Sequence, residues 1–393
     1  MNCVLRWLVA VCFLLESCVI AEAQTVPTNS EHKEKPIDFD RARELLQKRQ
    51  RGEPLSSDEQ TYLQRAMEAR RNGAGQPQGR QPTNPVPRES IGLKPLNEMT
   101  ADDRYKNQDG GLYGSGRNSP PEEHRRAAEL ELTLIQPLDF EGQSAANGKI
   151  VFISISMSNA TQEFSRFKQL ADADPAKSKK LTIVDCAQGG QAMAEWAPAD
   201  APTWKEAARR LAAASVSPKQ VQVAWIKLAN KGPKGELESH GRELERDTKA
   251  VLQNAKSRFP NLRIVYLSSR IYGGYATSHL NPEPFAYESA FAARWLIQDQ
   301  MKGEAGLNFN SEKGEVKAPL LLWGPYLWAD GTTPRKEDKL SYSREDLAGD
   351  GTHPSASGKD KVAGLLLDFL KSDGCDRLIR AQLVFATICL HNI

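Results

Sequence analysis

The sequence predicts an α/β domain built on a parallel sheet with helices on both faces. Three observations carry this expectation. Short apolar, β-branched runs recur at 150–155, 181–184, 221–226, 264–267 and 320–323. Helix-patterned stretches alternate with them at 161–171, 204–214, 242–258, 284–302 and 356–370. The apolar runs are nearly continuous, as in strands buried on both faces and joined by helical crossovers. Functional groups of such sheets gather beyond the carboxyl ends of the strands.

The N-terminus has the pattern of an export signal. Arg6 precedes an apolar core at 8–15, and Ala21-Glu22-Ala23 forms a small-x-small cleavage site. Cleavage after Ala23 would leave Gln24 as the mature N-terminus of a secreted or periplasmic protein, with no stable membrane span, because the apolar run is short for a bilayer. Glu16 argues against lipid attachment at Cys18. Of six cysteines, Cys3, Cys12 and Cys18 fall in this signal, and Cys186, Cys375 and Cys389 are widely spaced. That is neither a disulfide framework nor a zinc pattern, and no metal or organic cofactor is expected. The net charge of +2 gives no pull towards nucleic acid.

Residues 24–90 read as a polar extension. Segments 39–51 and 57–72 suit two short helices, separated at Gly52-Glu53-Pro54, with Ser56-x-x-Glu59 as a capping box. Leu45, Leu46, Tyr62, Leu63, Ala66 and Met67 form a narrow apolar stripe. The expected helical hairpin would dock on the main domain or bind a protein partner. A linker rich in Gly, Gln, Pro and Arg follows at 73–90. Residues 91–147 form a loop-rich lead-in, whose run Asp109 to Gly114 calls for glycines at positive φ. The main domain spans 148–372. The tail 373–393 carries an apolar stretch at 378–390 interrupted by Arg380, which suits an amphipathic docking helix.

The strand ends are read one by one. Ser156-Met157-Ser158-Asn159 follows the first strand, and Asp185 to Gly190 the second. Lys227 to Asn230 follows the third, and Ser268 to Gly274 the fourth. Gly324 to Gly331 follows the fifth, and Asp350-Gly351-Thr352-His353-Pro354 precedes the last helix. A serine past the first strand and an Asp-x-x-His entering the last helix can meet at one sheet edge. A serine hydroxyl is a weak nucleophile that needs a base. An imidazole, titrating near ~6.5 in water, can take and return a proton, and a carboxylate three residues earlier can hold its tautomer.

This arrangement resembles the SGNH (GDSL-type) hydrolase superfamily over about 148–371, in a divergent secreted bacterial branch. The resemblance implies a three-layer, flavodoxin-like sandwich with a five-stranded parallel sheet. It implies Ser158 as nucleophile, His353 and Asp350 as its dyad, and an oxyanion hole from Ser158 N–H, Gly190 N–H and the Asn230 amide. Two blocks depart from the family pattern: Ser156-Met157-Ser158 stands for Gly-Asp-Ser, and Leu228-Ala229-Asn230-Lys231 for Gly-x-Asn-Asp. The implied reaction is ester hydrolysis through an acyl-enzyme. A small-molecule or glycan ester is the expected substrate, with O-acyl groups on carbohydrate suggested by family habit and export. Asn159, Trp323, Tyr326, Trp328 and Tyr272 are expected at the substrate wall. The rival expectations are an inactive scaffold that binds glycan or protein at the cell surface, and a surface-assembly protein docking through its termini. Locally, Ser158 or Asn159 could be a helix N-cap, and Asp350-Gly351 a turn. His124, His240 and His279 are expected on the surface or in packing.

Overall fold

The computed structural model describes residues 85–372, 54–71, and Arg41, Ala42, Leu45, Lys48 and Arg49. The expected export signal, the polar segment 24–37, Leu46, the break at Gly52-Glu53, most of the 73–90 linker and the 373–393 tail lie outside the described residues. The chain divides into two units, Met1–Pro82 and Thr83–Ile393.

In the first unit, α1 spans Ser57–Arg71. Its capping box is reciprocal: Glu59 N–H donates to Ser56 Oγ (3.2 Å), and Ser56 N–H donates to Glu59 Oε2 (2.8 Å). Ala42 and Leu45 are buried against Leu63 and Ala66 of α1. Met67, expected in this stripe, is exposed.

The second unit holds the sheet. Its strands are β1 (Ile150–Ile155), β2 (Leu181–Asp185), β3 (Val221–Lys227), β4 (Ile264–Ser268) and β5 (Leu320–Trp323). They run all parallel in the order β2-β1-β3-β4-β5. This is the flavodoxin-like order of a doubly wound α/β fold. Three strands run one residue past the apolar runs, taking in Asp185, Lys227 and Ser268. A polar side chain ends an apolar pattern in sequence, but its backbone can still pair.

The crossover helices are α3 (Ser158–Ala173), α5 (Pro202–Ala213), α6 (Leu237–Arg258) and α7 (Phe285–Met301). A one-turn α4 (Met193–Trp196) precedes α5, and α8 (Ala356–Ser372) closes the domain. Helices α3 and α8 pack together, as do α6 and α7. Phe164 of α3 stacks on Trp225 of β3 at 5.8 Å and meets Phe152 of β1 edge-on at 5.2 Å. The first crossover leads from β1 to β2, and the next returns past β1 to β3. The direction of winding therefore reverses beside β1, and a crevice at such a point is where ligands bind in open α/β sheets.

The lead-in is fastened to this core. Arg294 of α7, almost fully buried, donates to Asp109 O (2.7 Å), Gly111 O (3.3 Å) and Gln108 Oε1 (2.9 Å). Asp330 accepts from Ser90 Oγ and from the N–H groups of Ile91 and Gly92. One helix here, α2 (Glu122–Thr133), escapes the sequence reading. Its charged positions are mostly exposed, so its apolar face is too narrow to register as a period. Glu122 and Glu123 sit in its first turn, where the helix dipole favours them. His124, also in that turn, is buried with Nε2 2.8 Å from Leu321 O, and His240 is buried against Glu288 at 2.5 Å.

Candidate active site

Two elements deliver the serine and the histidine. Helix α3 begins at Ser158, directly after the β1 exit, with Met157 as its N-cap. The first N–H groups of a helix have no partner within it, so the N–H of Ser158 remains available at this edge. Neither Ser158 nor Asn159 caps the helix, and the Ser158 hydroxyl meets the imidazole instead. Ser158 Oγ lies 2.8 Å from His353 Nε2, and His353 Nδ1 lies 2.5 Å from Asp350 Oδ2.

The dyad rests on a tight turn. Asp350 Oδ1 accepts from the N–H groups of Thr352 and His353, each at 3.0 Å. Ala348 N–H donates to His353 O (2.7 Å), and Gly351 N–H donates to Ala348 O (2.9 Å). Burial works against the Asp350 carboxylate. The hydrogen bonds from the His353 ring and from the His353 and Thr352 N–H groups outweigh it, and the pKa falls below the usual carboxylate range. Asp350 is thus an anion wherever histidine can act as a base.

Gly351 is fixed by geometry. Its φ is +65°, and a Cβ there would lie 1.7 Å from Tyr275 O. Gly351→Ala is expected to lower the unfolding free energy by about 2 kcal/mol or more, read by urea denaturation. Gly349→Ala, whose added Cβ meets nothing within 4 Å, is expected to change it by under about 0.5 kcal/mol. Equal losses in the two variants would refute this account of the turn.

Ser156, two residues before Ser158, has a φ of +156°. Its surroundings hold it there. Its Oγ donates to Lys227 O (2.5 Å), and its carbonyl accepts from Gln188 N–H (2.9 Å) and Trp196 Nε1 (3.2 Å). Asp185 braces the same edge, accepting from Ser154 Oγ (2.5 Å), Ser165 Oγ (2.9 Å) and the Thr161 hydroxyl.

Gly190 is exposed after β2 at φ +73°, and its N–H has no partner among the described residues. Asn230 is buried. Its Oδ1 accepts from Ala194 N–H (2.9 Å), which fixes the orientation of the amide, and its Nδ2 donates to Asp247 Oδ2 (2.6 Å). One Nδ2 proton is thereby committed and one is left.

The expected substrate wall is not a wall. Trp323, Tyr326, Trp328 and Tyr272 are all buried in the core. Trp323 Nε1 donates to Leu112 O, Trp328 Nε1 to Glu283 Oε1 and Tyr272 OH to Arg88 O, while Tyr326 OH accepts from Leu96 N–H. Each polar tip is consumed by the end of the linker, by the lead-in or by the α7 entrance, so these rings anchor neighbouring segments. Asn159 is likewise buried, donating from Nδ2 to Thr352 O at 2.9 Å. It ties the serine helix to the histidine turn, a positioning contact between the two halves of the site.

The sequence reading also passed over a buried charge cluster. Lys227 Nζ lies 2.6 Å from both oxygens of Glu163, and both side chains are fully buried. Burial pushes the Glu163 pKa up, against the opposing fields of Lys227, Arg270 and His353. Burial likewise pushes the Lys227 pKa down, against Glu163. A charged residue ending an otherwise apolar strand in a doubly covered sheet is the signal that could have found Lys227.

No family model matches this sequence, and no curated protein matches it. Several solved structures align with part of this chain. One is the YxiM protein of Bacillus subtilis, at 12% identity and a TM-score of 0.32, covering 59% of this chain and 58% of that one. Another is a protein of Bacteroides fragilis described as a candidate acylhydrolase, at 14% identity and a TM-score of 0.29, covering 64% of this chain and 97% of that one. A third is the periplasmic domain of a lipopolysaccharide acetyltransferase from Salmonella Paratyphi A, at 12% identity and a TM-score of 0.29, covering 63% of this chain and 94% of that one. At these identities the likeness assigns no role to any residue of this chain.

Proposed function

We propose that the protein is a serine acyl hydrolase that cleaves an ester through an acyl-enzyme on Ser158. The observation that carries this reading is the unbroken relay Ser158 Oγ–His353 Nε2–His353 Nδ1–Asp350 Oδ2, at 2.8 and 2.5 Å. Ser158 Oγ attacks the ester carbonyl as its proton passes to His353 Nε2. The tetrahedral oxyanion draws on the N–H groups of Ser158 and Gly190 and on the second proton of Asn230 Nδ2. Each such donor typically lowers the barrier by roughly 3 kcal/mol. His353 then gives the proton to the leaving alcohol, and water, activated by the same imidazole, releases the acid.

The arrangement of donors leaves the acyl acceptor open to any hydroxyl that reaches the acyl-enzyme, and water is the default acceptor at an exposed edge. The export pattern at residues 1–23 supports an enzyme working outside the cytoplasm. Among the described residues, no helix is long and apolar enough to cross a membrane. A small-molecule or glycan O-acyl ester is the substrate class that suits both points.

The test is labelling of the full mature chain with a fluorophosphonate, which reacts with activated serines. Wild type is expected to label stoichiometrically, Ser158→Ala not at all, and His353→Ala at least about 100-fold more slowly. A folded wild-type protein that takes no label would overturn the hydrolase reading in favour of a binding scaffold.

A further inference from the structure

Arg270 stands two residues beyond β4, at the same carboxyl edge of the sheet as Ser158. It is 4% exposed. Its backbone is fixed, since its N–H donates to Ser289 Oγ at 3.0 Å. Its guanidinium is not. Among the described residues no acceptor, ion pair or aromatic ring engages it, and its Nε is buried without a partner. Other arginines in this domain differ. Arg294 donates to two carbonyls and a side-chain amide, and Arg335 bonds Tyr326 O, Trp328 O and Asp338.

The two carboxylates whose fields reach Arg270 are Glu163 and Glu283. Both are already occupied. Glu163 gives both oxygens to Lys227. Glu283 accepts from Gly273 N–H (2.7 Å), Trp328 Nε1 (2.7 Å) and Tyr287 N–H (3.0 Å). Burial draws the Arg270 pKa down to about 10, so it stays a cation at neutral pH. A buried guanidinium with five donors and no protein acceptor is costly unless something from outside supplies the oxygens.

The Glu163 carboxylate lies within electrostatic reach of both Arg270 and His353. Lys227, which holds that carboxylate, pairs in register with Ser268, two residues before Arg270.

We propose that Arg270 is an anion receptor beside the Ser158–His353 pair, taking the carboxylate, sulfate or phosphate group of an acidic ester in a bidentate grip. This rests on the hydrolase reading for the identity of the ester, though not for the existence of the anion site.

The experiment compares wild type, Arg270→Gln and Arg270→Lys in two assays. The first measures kcat/KM for 4-nitrophenyl acetate against two acidic esters, mono-4-nitrophenyl succinate and 4-acetoxybenzoate. Wild type is expected to favour at least one acidic ester. Arg270→Gln should lose about 30-fold or more on that ester while staying within about threefold on the acetate. Arg270→Lys, which keeps charge without the fork, should fall between. The second assay follows thermal unfolding against sodium sulfate and sodium acetate, with sodium chloride at matched ionic strength as reference. An anion-specific rise in wild type that is absent in Arg270→Gln supports the site even where no ester preference exists, and identifies a free anion as its occupant. No acidic-ester preference together with identical anion responses in wild type and Arg270→Gln overturns the proposal. If fluorophosphonate labelling and ester turnover both fail, the hydrolase reading falls and the thermal assay alone decides the anion site. Because the guanidinium bonds nothing among the described residues, Arg270→Gln is expected to unfold no earlier than wild type in chloride. Earlier unfolding of both variants in chloride, with no anion-specific response, would make Arg270 a structural cation and likewise overturn the proposal.

Discussion

Ser158→Ala is expected to lower kcat/KM for any ester substrate by about 10⁵-fold, with the fold intact. Among the described residues the hydroxyl has one polar contact, to His353 Nε2, so its removal takes away the proposed nucleophile and little else. His353→Ala should lose a comparable amount, and the double variant should lose hardly more than either alone, because the pair acts as a unit. Asp350→Asn separates the roles of the carboxylate. Its Oδ1 can go on accepting from Thr352 and His353 N–H, which keeps the turn. An amide –NH₂ in place of Oδ2 would face Nδ1 as a donor, forcing the proton onto Nε2. The imidazole could then no longer accept a proton from Ser158, and a loss of about 10⁴-fold follows. Steady-state kinetics checked by circular dichroism measures all four variants. An additive loss in the double variant, or an active Asp350→Asn enzyme, would break the relay model.

The second large effect concerns stability. Glu163→Leu is expected to cost about 3–5 kcal/mol, because it strands the Lys227 ammonium in the core, where Arg270 adds a like charge. Lys227→Met should cost less, since Arg270 remains to offset the Glu163 carboxylate. The double variant, Glu163→Leu with Lys227→Met, should recover most of the loss, as apolar groups of similar volume often replace a buried ion pair with little penalty. Urea denaturation of the three variants gives the ordering. A Glu163→Leu loss below about 1 kcal/mol, or a double variant weaker than both singles, would show that the pair is not held as a buried ion pair.

The two predictions draw on features that differed in how readable they were. The strands were legible because a sheet covered on both faces needs unbroken apolar runs, and 150–155 and 320–323 coincide with β1 and β5. Asp350 and His353 were legible because three residues and a tight turn suffice to join them. Their approach to Ser158 followed from topology, since the first and last segments of a doubly wound sheet share an edge. Orientation was not legible. Trp323 ends β5 and Tyr326 and Trp328 follow it, yet position along a strand does not say whether a ring faces the crevice or the core. The decision lay with partners far away in sequence, Leu112 for Trp323 and Glu283 for Trp328. Lys227 and Glu163 were missed for the same reason, because the energy that makes them a pair exists only once α3 lies on β3. Asn159 read as a pocket residue when taken alone, and only its bond to Thr352 makes it a strut.

The serine and its base are separated by 195 positions. Nearly every other strand pairing and crossover lies between them, so their meeting is among the most non-local contacts in the chain. Long-range contacts of this kind form late, after the shorter loops have closed. The relay therefore behaves as a seal on the finished fold: a chain that stops short of Asp350 already carries all five strands and a serine with nothing to activate it. Reactivity towards an active-serine probe, followed during refolding, would mark the moment the final helix docks, with Ser158 serving as the clock.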